Sequence, residues 1–265
     1  MDRRTEELIE LLRPSPEAIL HRKRVVKYTS RHIKQTLGAQ CFPIGTYALK
    51  TYLPDDWLHL SAFLCRGQEQ TWFMRVNEVL CKTSNSTPEA GGETSAHKIS
   101  NVNFVNEGEH RAIRCMTDGV NVDMTANSIE ELYQVSFLEE VDLLLGKNHI
   151  FKRSILLLKA WWLYETRAFS GASMLASISE FALSTMLLAV VNKHHRRLHH
   201  PLQVLSMFFS VYSKLDWEKS GITVHGVVEI DKAANILGKV EDRAKNCLLP
   251  EEMVARYQQR CVQSR

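Results

Sequence analysis

No two of the six cysteines (Cys41, Cys65, Cys81, Cys115, Cys247, Cys261) form a C-x-x-C pair, and none has a histidine at ligand spacing. This scatter excludes a disulfide framework or a zinc module and predicts thiols in a reducing compartment. No apolar run of membrane length is uninterrupted. The longest, ASMLASISEFALSTMLLAVV (172–191), is broken by Glu180 and four serines and reads as a buried core helix. The start, MDRRTEELIELLRP, carries acids in an amphipathic pattern and lacks both the apolar centre of a secretory signal and the acid-poor bias of a transit peptide. A soluble, intracellular protein with no membrane insertion is expected, and the Asn85-Ser86-Thr87 sequon is then coincidental. Charge of one sign is scarcely in excess. Lys plus Arg number 33 against 30 Asp plus Glu, a net +3 that permits a phosphate-rich partner without demanding one. There is no Ser-His-Asp order, P-loop, dinucleotide fingerprint or internal repeat.

What is present is a 265-residue chain with 45% apolar residues, enough for one large core or two smaller ones. A short helix is expected over 3–12, stopped by Pro14 and Pro16. Over 17–37, Ile19, Leu20, Val25, Val26, Ile33 and Leu37 recur at helical intervals, and Gly38 suits the C-cap. His21, Arg22, Lys23, Arg24, Lys27, Arg31 and Lys34 fill the other face, which is either a solvated surface or an RNA-facing stripe. Short strand-like pieces follow: CFPIG, LHLSAFL, KISNVNFV, RAIRCMT and GVNVDMTA. A helical piece near 67–82 and the polar loop TSNSTPEAGGETSA interrupt them. From 128 the pattern is helical again. The pattern predicts an α+β protein: a strand-rich module over 38–127 carried on a helical body of 1–37 and 128–265.

The stretch FPIGTYALKTYLPDDWLHLSAFL (42–64) has the texture of a nucleotide-binding corner. A glycine followed by a hydroxyl residue, here Gly45-Thr46, can offer backbone N–H groups and an OH to a triphosphate. Nucleotidyl transfer then needs two carboxylates at i and i+2 of a strand, on one face, to grip a pair of hard divalent cations with a third carboxylate nearby. Those two positions hold Trp57 and His59 instead.

The run resembles the nucleotidyltransferase domain of terminal uridylyl and poly(A) polymerases, most nearly the plant-type group of the poly(A) polymerase / 2'-5' oligoadenylate synthetase superfamily. The likeness continues through VNVDMTAN, FLEEVDLLLGKNHIFKRSILLLKAWWLYETR, SISEFALSTMLL and PLQVLSMFFSVYSKLDWEKSGITVHGVV, covering most of 20–228. It implies a nucleotidyltransferase palm packed on a helical poly(A)-polymerase-type domain. It further implies that Gly45 is the turn glycine and Thr46 the phosphate-contacting hydroxyl. Asp123 falls on the third catalytic carboxylate, Lys159 on a triphosphate-reaching lysine and Ser179 on a phosphate-contacting serine, while Phe181 replaces a base-stacking tyrosine. Trp57 and His59 stand at the metal-bridging acids, and Glu180 adds negative charge beside the phosphate position. The element EIDKAANILGKV (229–240), with Asp231, Asn235, Leu237 and Gly238, looks like a shortened base-recognition motif.

Asp55 and Asp56 are adjacent, so on a strand they face opposite ways and cannot jointly replace the missing pair. Asp55, His59 and Asp123 could at most rebuild a site for a softer metal. The resemblance therefore implies a catalytically degenerate protein, retained as a structural or RNA-associated subunit of a larger assembly, with no metal site and no cofactor. Mg or Mn is implied only if the site is active. The alternatives are an active polymerase with an altered metal site, or a nucleotide-sensing module. In NKHHRRLHHP (192–201) a solvated inter-helix loop, a phosphate contact and a metal tract are all open. Trp161 and Trp162 are read as core or interface anchors, with base stacking as the other reading. The charged ending reads as a surface or docking helix.

Overall fold

Two groups of elements divide this computed structural model, which describes residues 2–85, 97–107, 110–166, 178–224, 226–230 and 256. One compact unit comprises Pro14–Ala48 and Pro54–Leu132; the other comprises Met1–Arg13, Leu49–Leu53 and Tyr133–Arg265.

The first unit contains a five-stranded mixed sheet. Strands β1 (Gln40–Pro43), β2 (Leu58–Phe63), β3 (Ile99–Glu107), β4 (His110–Thr117) and β5 (Val120–Ala126) lie in the order β1-β2-β5-β4-β3. Only the β2–β5 pair is parallel. Asp118-Gly119 sets the register of the β4–β5 hairpin: both residues have positive φ (50° and 80°), the conformation of a two-residue type I′ turn. Thr117 therefore pairs with Val120, and counting back places Arg114 opposite Asp123.

Alternation along these strands sorts two faces. Leu58, Leu60, Ile113, Cys115, Val122 and Met124 are buried together on one. Helices α2 (Pro16–Leu37) and α4 (Trp72–Asn85) add Val25, Ile33, Leu37, Trp72, Val76 and Leu80 to the same core. Each such side chain contributes roughly 1.5–3 kcal/mol by leaving water. Helix α2 was expected in the helical body; its apolar stripe is instead matched to the sheet, so it lies in this unit. Ser15 caps its start, accepting a hydrogen bond from Ala18 N at 3.2 Å, and Gly38 ends it in the left-handed conformation.

Arg22 departs from the expected solvated face. It is buried, and its Nη2 donates to the carbonyls of Pro54 (2.7 Å) and Asp56 (2.9 Å). A helix side chain thus clasps the turn that leads into β2. The short helix α3 (Gly45–Leu49), absent from the sequence reading, follows β1.

The second unit is built of α1 (Asp2–Leu12), most of α5 (Ile129–Leu145), α6 (Ile150–Thr166), α7 (Glu180–His194) and α8 (Pro201–Tyr212), with a β6–β7 hairpin (Ser220–Thr223, Gly226–Glu229). Phe137, Val141, Phe151, Leu158, Leu187, Val191, Val204 and Phe208 form its core. Trp161 and Trp162 pack against that core, Trp161 edge-on to Phe209 at 4.6 Å between centroids, as core anchors do. Residues 195–200 form the α7–α8 connection, where Lys147 Nζ donates to the carbonyls of His195 and Leu198, each at 2.7 Å.

Among the described residues no helix is long and apolar enough to cross a membrane. The polar loop expected over 83–96 begins inside α4, which runs to Asn85; its residues 86–96, residues 231–240 of the element at 229–240, most of the charged ending, Cys247 and Cys261 lie outside the described residues.

Candidate functional site

Three side chains form one row across the other face of the sheet. Asp123 on β5 pairs in register with His59 on β2 at one side and with Arg114 on β4 at the other. Its Oδ2 lies 3.4 Å from His59 Nδ1, and its Oδ1 lies 3.5 Å from Arg114 Nε. The carboxylate side chain is only 5% exposed. Trp57, two residues before His59, sits beneath the Arg114 guanidinium, with the carbon of that group 5.3 Å from the ring centroid. That is cation–π range for an arginine on an indole.

Arg114 was not singled out in the sequence, although a signal existed. The Asp118-Gly119 turn fixes the hairpin, and counting four residues out from Asp118 along β4 reaches the residue opposite Asp123.

A magnesium pair would require several hard oxygen ligands in this row. The row offers one carboxylate already faced by a guanidinium and an imidazole. At an effective dielectric near 20, a dication about 4 Å from a guanidinium charge meets repulsion on the order of 8 kcal/mol. A carboxylate at coordination distance attracts one dication more strongly than this, but a pair of dications needs several such oxygens and the row has one, so the residues present do not fit the metal pair.

Nor is a softer site assembled. Among the described residues no group of three or more His, Cys, Asp or Glu side chains is placed to hold a metal ion. Asp55 and Asp56 line a separate cavity of about 270 Å³ with His21, Arg22, Gly119 and Asn121.

Gly45 has φ of 64°, the left-handed region where glycine is favoured. A Cβ there would lie 3.7 Å from the His59 ring, an ordinary contact, so the requirement is conformational. Thr46 is buried, and its hydroxyl has no hydrogen-bond partner among the described residues.

The remaining expected residues belong to the helical unit. Lys159, on α6, is buried; its Nζ lies 2.9 Å from Glu180 Oε1 and 3.4 Å from the Thr51 carbonyl. Ser179 is the N-cap of α7, its Oγ accepting from Ala182 N at 3.1 Å. Phe181 is half-buried against the helical core. Each has a structural occupation: charge partner, cap and packing. The structure thus joins Trp57, His59, Asp123 and Arg114 in one unit, and Lys159, Ser179 and Glu180 in the other.

Two of the four histidines around the α7–α8 connection make local contacts. His195 Nδ1 lies 3.1 Å from the Asn192 carbonyl, and His200 closes a capping box with Gln203 at the start of α8.

Residues 145–265 match the PAP/OAS1 substrate-binding domain. Among solved structures, the RNA terminal uridylyl transferase Cid1 superposes with a TM-score of 0.67 at 11% identity, covering 99% of this chain and 92% of that one. The Cid1 poly(U) polymerase with MgGTP bound gives 0.68 at 11% identity, covering 99% and 93%. The GLD-2/RNP-8 complex gives 0.64 at 10%, covering 86% and 80%. No curated protein matches the sequence. At these identities the superpositions show a shared fold.

Proposed function

We propose that this chain, which carries the PAP/OAS1 substrate-binding domain on the fold of terminal nucleotidyltransferases, is a subunit of a larger RNA-handling assembly that has ceased to transfer nucleotides. The observation that carries the reading is the row His59–Asp123–Arg114, with Arg114 over the Trp57 ring. Where the fold's chemistry asks for acids and two dications, this chain supplies its own cations and an indole. An internal guanidinium neutralises the remaining acid without binding substrate, which preserves the sheet and abandons the reaction.

The helical unit supports the same reading. Lys159 is charge-paired with Glu180, and Ser179 accepts at the α7 N-cap. Thr46 keeps an unpaired hydroxyl, and a single neutral hydrogen bond is worth only about 0.5–1.5 kcal/mol net. That is far below the affinity a triphosphate site needs. A fold kept without chemistry is kept for its surfaces, and the GLD-2 structure, solved as a complex with RNP-8, shows that this fold can be held by another protein.

The test is primer extension. The purified chain, given an RNA primer, all four NTPs and Mg²⁺ or Mn²⁺, is expected to add nothing, and its melting temperature is expected not to move with ATP or UTP. Extension that disappears in Asp123→Asn would overturn the reading.

A further inference from the structure

We infer that the exposed face of α2 is a binding surface for the phosphate backbone of RNA. This deepens the proposed role but depends on a different part of the molecule from the Asp123 row.

From Ala18 to Leu37 the helix contains no acidic residue. Its buried side is fixed on the sheet core by Val25, Ile33 and Leu37 and by the Arg22 clasp. At 100° per residue, Lys23, Lys34, Lys27, Arg31 and Arg24 fall in that order within about 100° of the opposite side. All five are exposed. None has an acidic partner among the described residues. Exposed helix cations commonly pair with acids at i±4, so five adjacent cations without one form a continuous positive strip. It runs about 16 Å along the axis, from Lys23 to Lys34.

The strip has an aromatic border. Tyr28 lies beside it on the wheel, its ring 4.5 Å from His32 and 4.2 Å from His97 between centroids. Tyr28 packs on these rings and against the sheet core, so the cluster is a fixed edge to the strip and the cations carry the phosphate contacts. A membrane surface would ask for apolar side chains interleaved with these cations. Between Lys23 and Lys34 the arc holds none, since Val25, Val26 and Ile33 turn inward; exposed Leu20 lies on the same arc but three residues before Lys23, outside the strip.

The full chain is titrated against a fluorescent, unstructured RNA 20-mer by anisotropy at several salt concentrations. Wild type is expected to bind with strong salt dependence. The variant Lys27→Glu/Arg31→Glu should lose at least tenfold in affinity and reduce the slope of log K against log salt by about 1.4, the value for two single-strand phosphate contacts. Lys27→Arg/Arg31→Lys should retain binding, and circular dichroism should show both variants folded. Lys193→Glu/Arg196→Glu, which makes the same charge change in the α7–α8 region, should lose much less. Wild type that fails to bind RNA overturns the inference, as does equal loss from the two charge reversals. So does tight binding to phosphatidylserine vesicles that the RNA does not displace. None of these outcomes bears on primer extension, so the two readings fail separately.

Discussion

Arg114 and Asp123 face each other across neighbouring strands, Nε to Oδ1 3.5 Å apart, in a row that His59 completes on the far side of the acid. The acid is buried and the arginine side chain is 38% exposed, so the pair lies between the surface and interior regimes. Removing one partner of a fully buried pair costs about 3–5 kcal/mol, and partial exposure reduces that. Arg114→Ala is therefore expected to destabilise the protein by roughly 2–3 kcal/mol in urea unfolding. Arg114→Ala/Asp123→Asn should cost less than the sum of the two single changes, because no uncompensated carboxylate remains. Additive losses would mean that the pair is not coupled.

The same arginine sets what a metal site in this row would require. Placing acids there with Trp57→Asp/His59→Asp supplies two carboxylates on the face of Asp123 but leaves a guanidinium in the row. Adding Arg114→Asn removes that competing charge. The triple variant is expected to bind Mg²⁺ at least tenfold more tightly than the double variant by calorimetry, tenfold being 1.4 kcal/mol. Equal affinities would show that Arg114 does not oppose a metal.

Much of this was legible beforehand because its signals are local. Gly38 and the apolar stripe defined α2, and the β-strand alternation defined β2, β4 and β5. That Trp57 and His59 stand where the resemblance implies acids was read from flanking matches that admit no shift of register. What was missed depends on distance in the chain. Arg22 looked like one more surface cation, since nothing in a helical wheel reveals a carbonyl pair 32 and 34 residues away. The Lys159–Glu180 pair spans 21 residues and two helices, so Glu180 read only as a negative charge beside a phosphate position. Arg114 was recoverable from the Asp118-Gly119 turn, because a two-residue hairpin carries register information outward from its tip.

The thiols should differ sharply in reactivity. Burial raises the Cys41 thiol to about 11, against a weaker opposing hydrogen bond from Ser30. Burial also raises that of Cys115. Cys65 is exposed. Because the thiolate is the nucleophile, iodoacetamide at pH 8 is expected to label Cys65 first and to spare Cys41 and Cys115 until the chain unfolds, as read by peptide mass spectrometry. Cys41 is only partly exposed, and its protection rests on the raised thiol, so early labelling of Cys41 would contradict that shift.

The cluster beside α2 predicts how stability varies with pH. The His32 pKa is lowered, first by burial and then by the neighbouring charges of Arg31 and His97. Across from them, Asp118 accepts a bond from Lys98 N and pairs with His97, which together outweigh its burial and lower its own pKa. For a histidine with a lowered folded value, the unfolded chain binds a proton more readily than the folded one. Stability is therefore full above the ordinary imidazole value of about 6.5 and falls as pH drops from there to the lowered folded value. For Asp118 the stabilisation holds above the ordinary carboxylate value of about 3.9 and is lost only below it. His194, lowered by burial and by Lys193 and Arg197, acts in the same window and the same direction as His32. Thermal denaturation is thus expected to show a melting temperature that begins to fall as pH drops below about 6.5, and a second fall as it drops below about 3.9. His32→Gln should flatten the first fall by removing the group that resists protonation, whatever it does to the melting temperature at pH 7.5. An unchanged slope in that variant would place the proton uptake elsewhere.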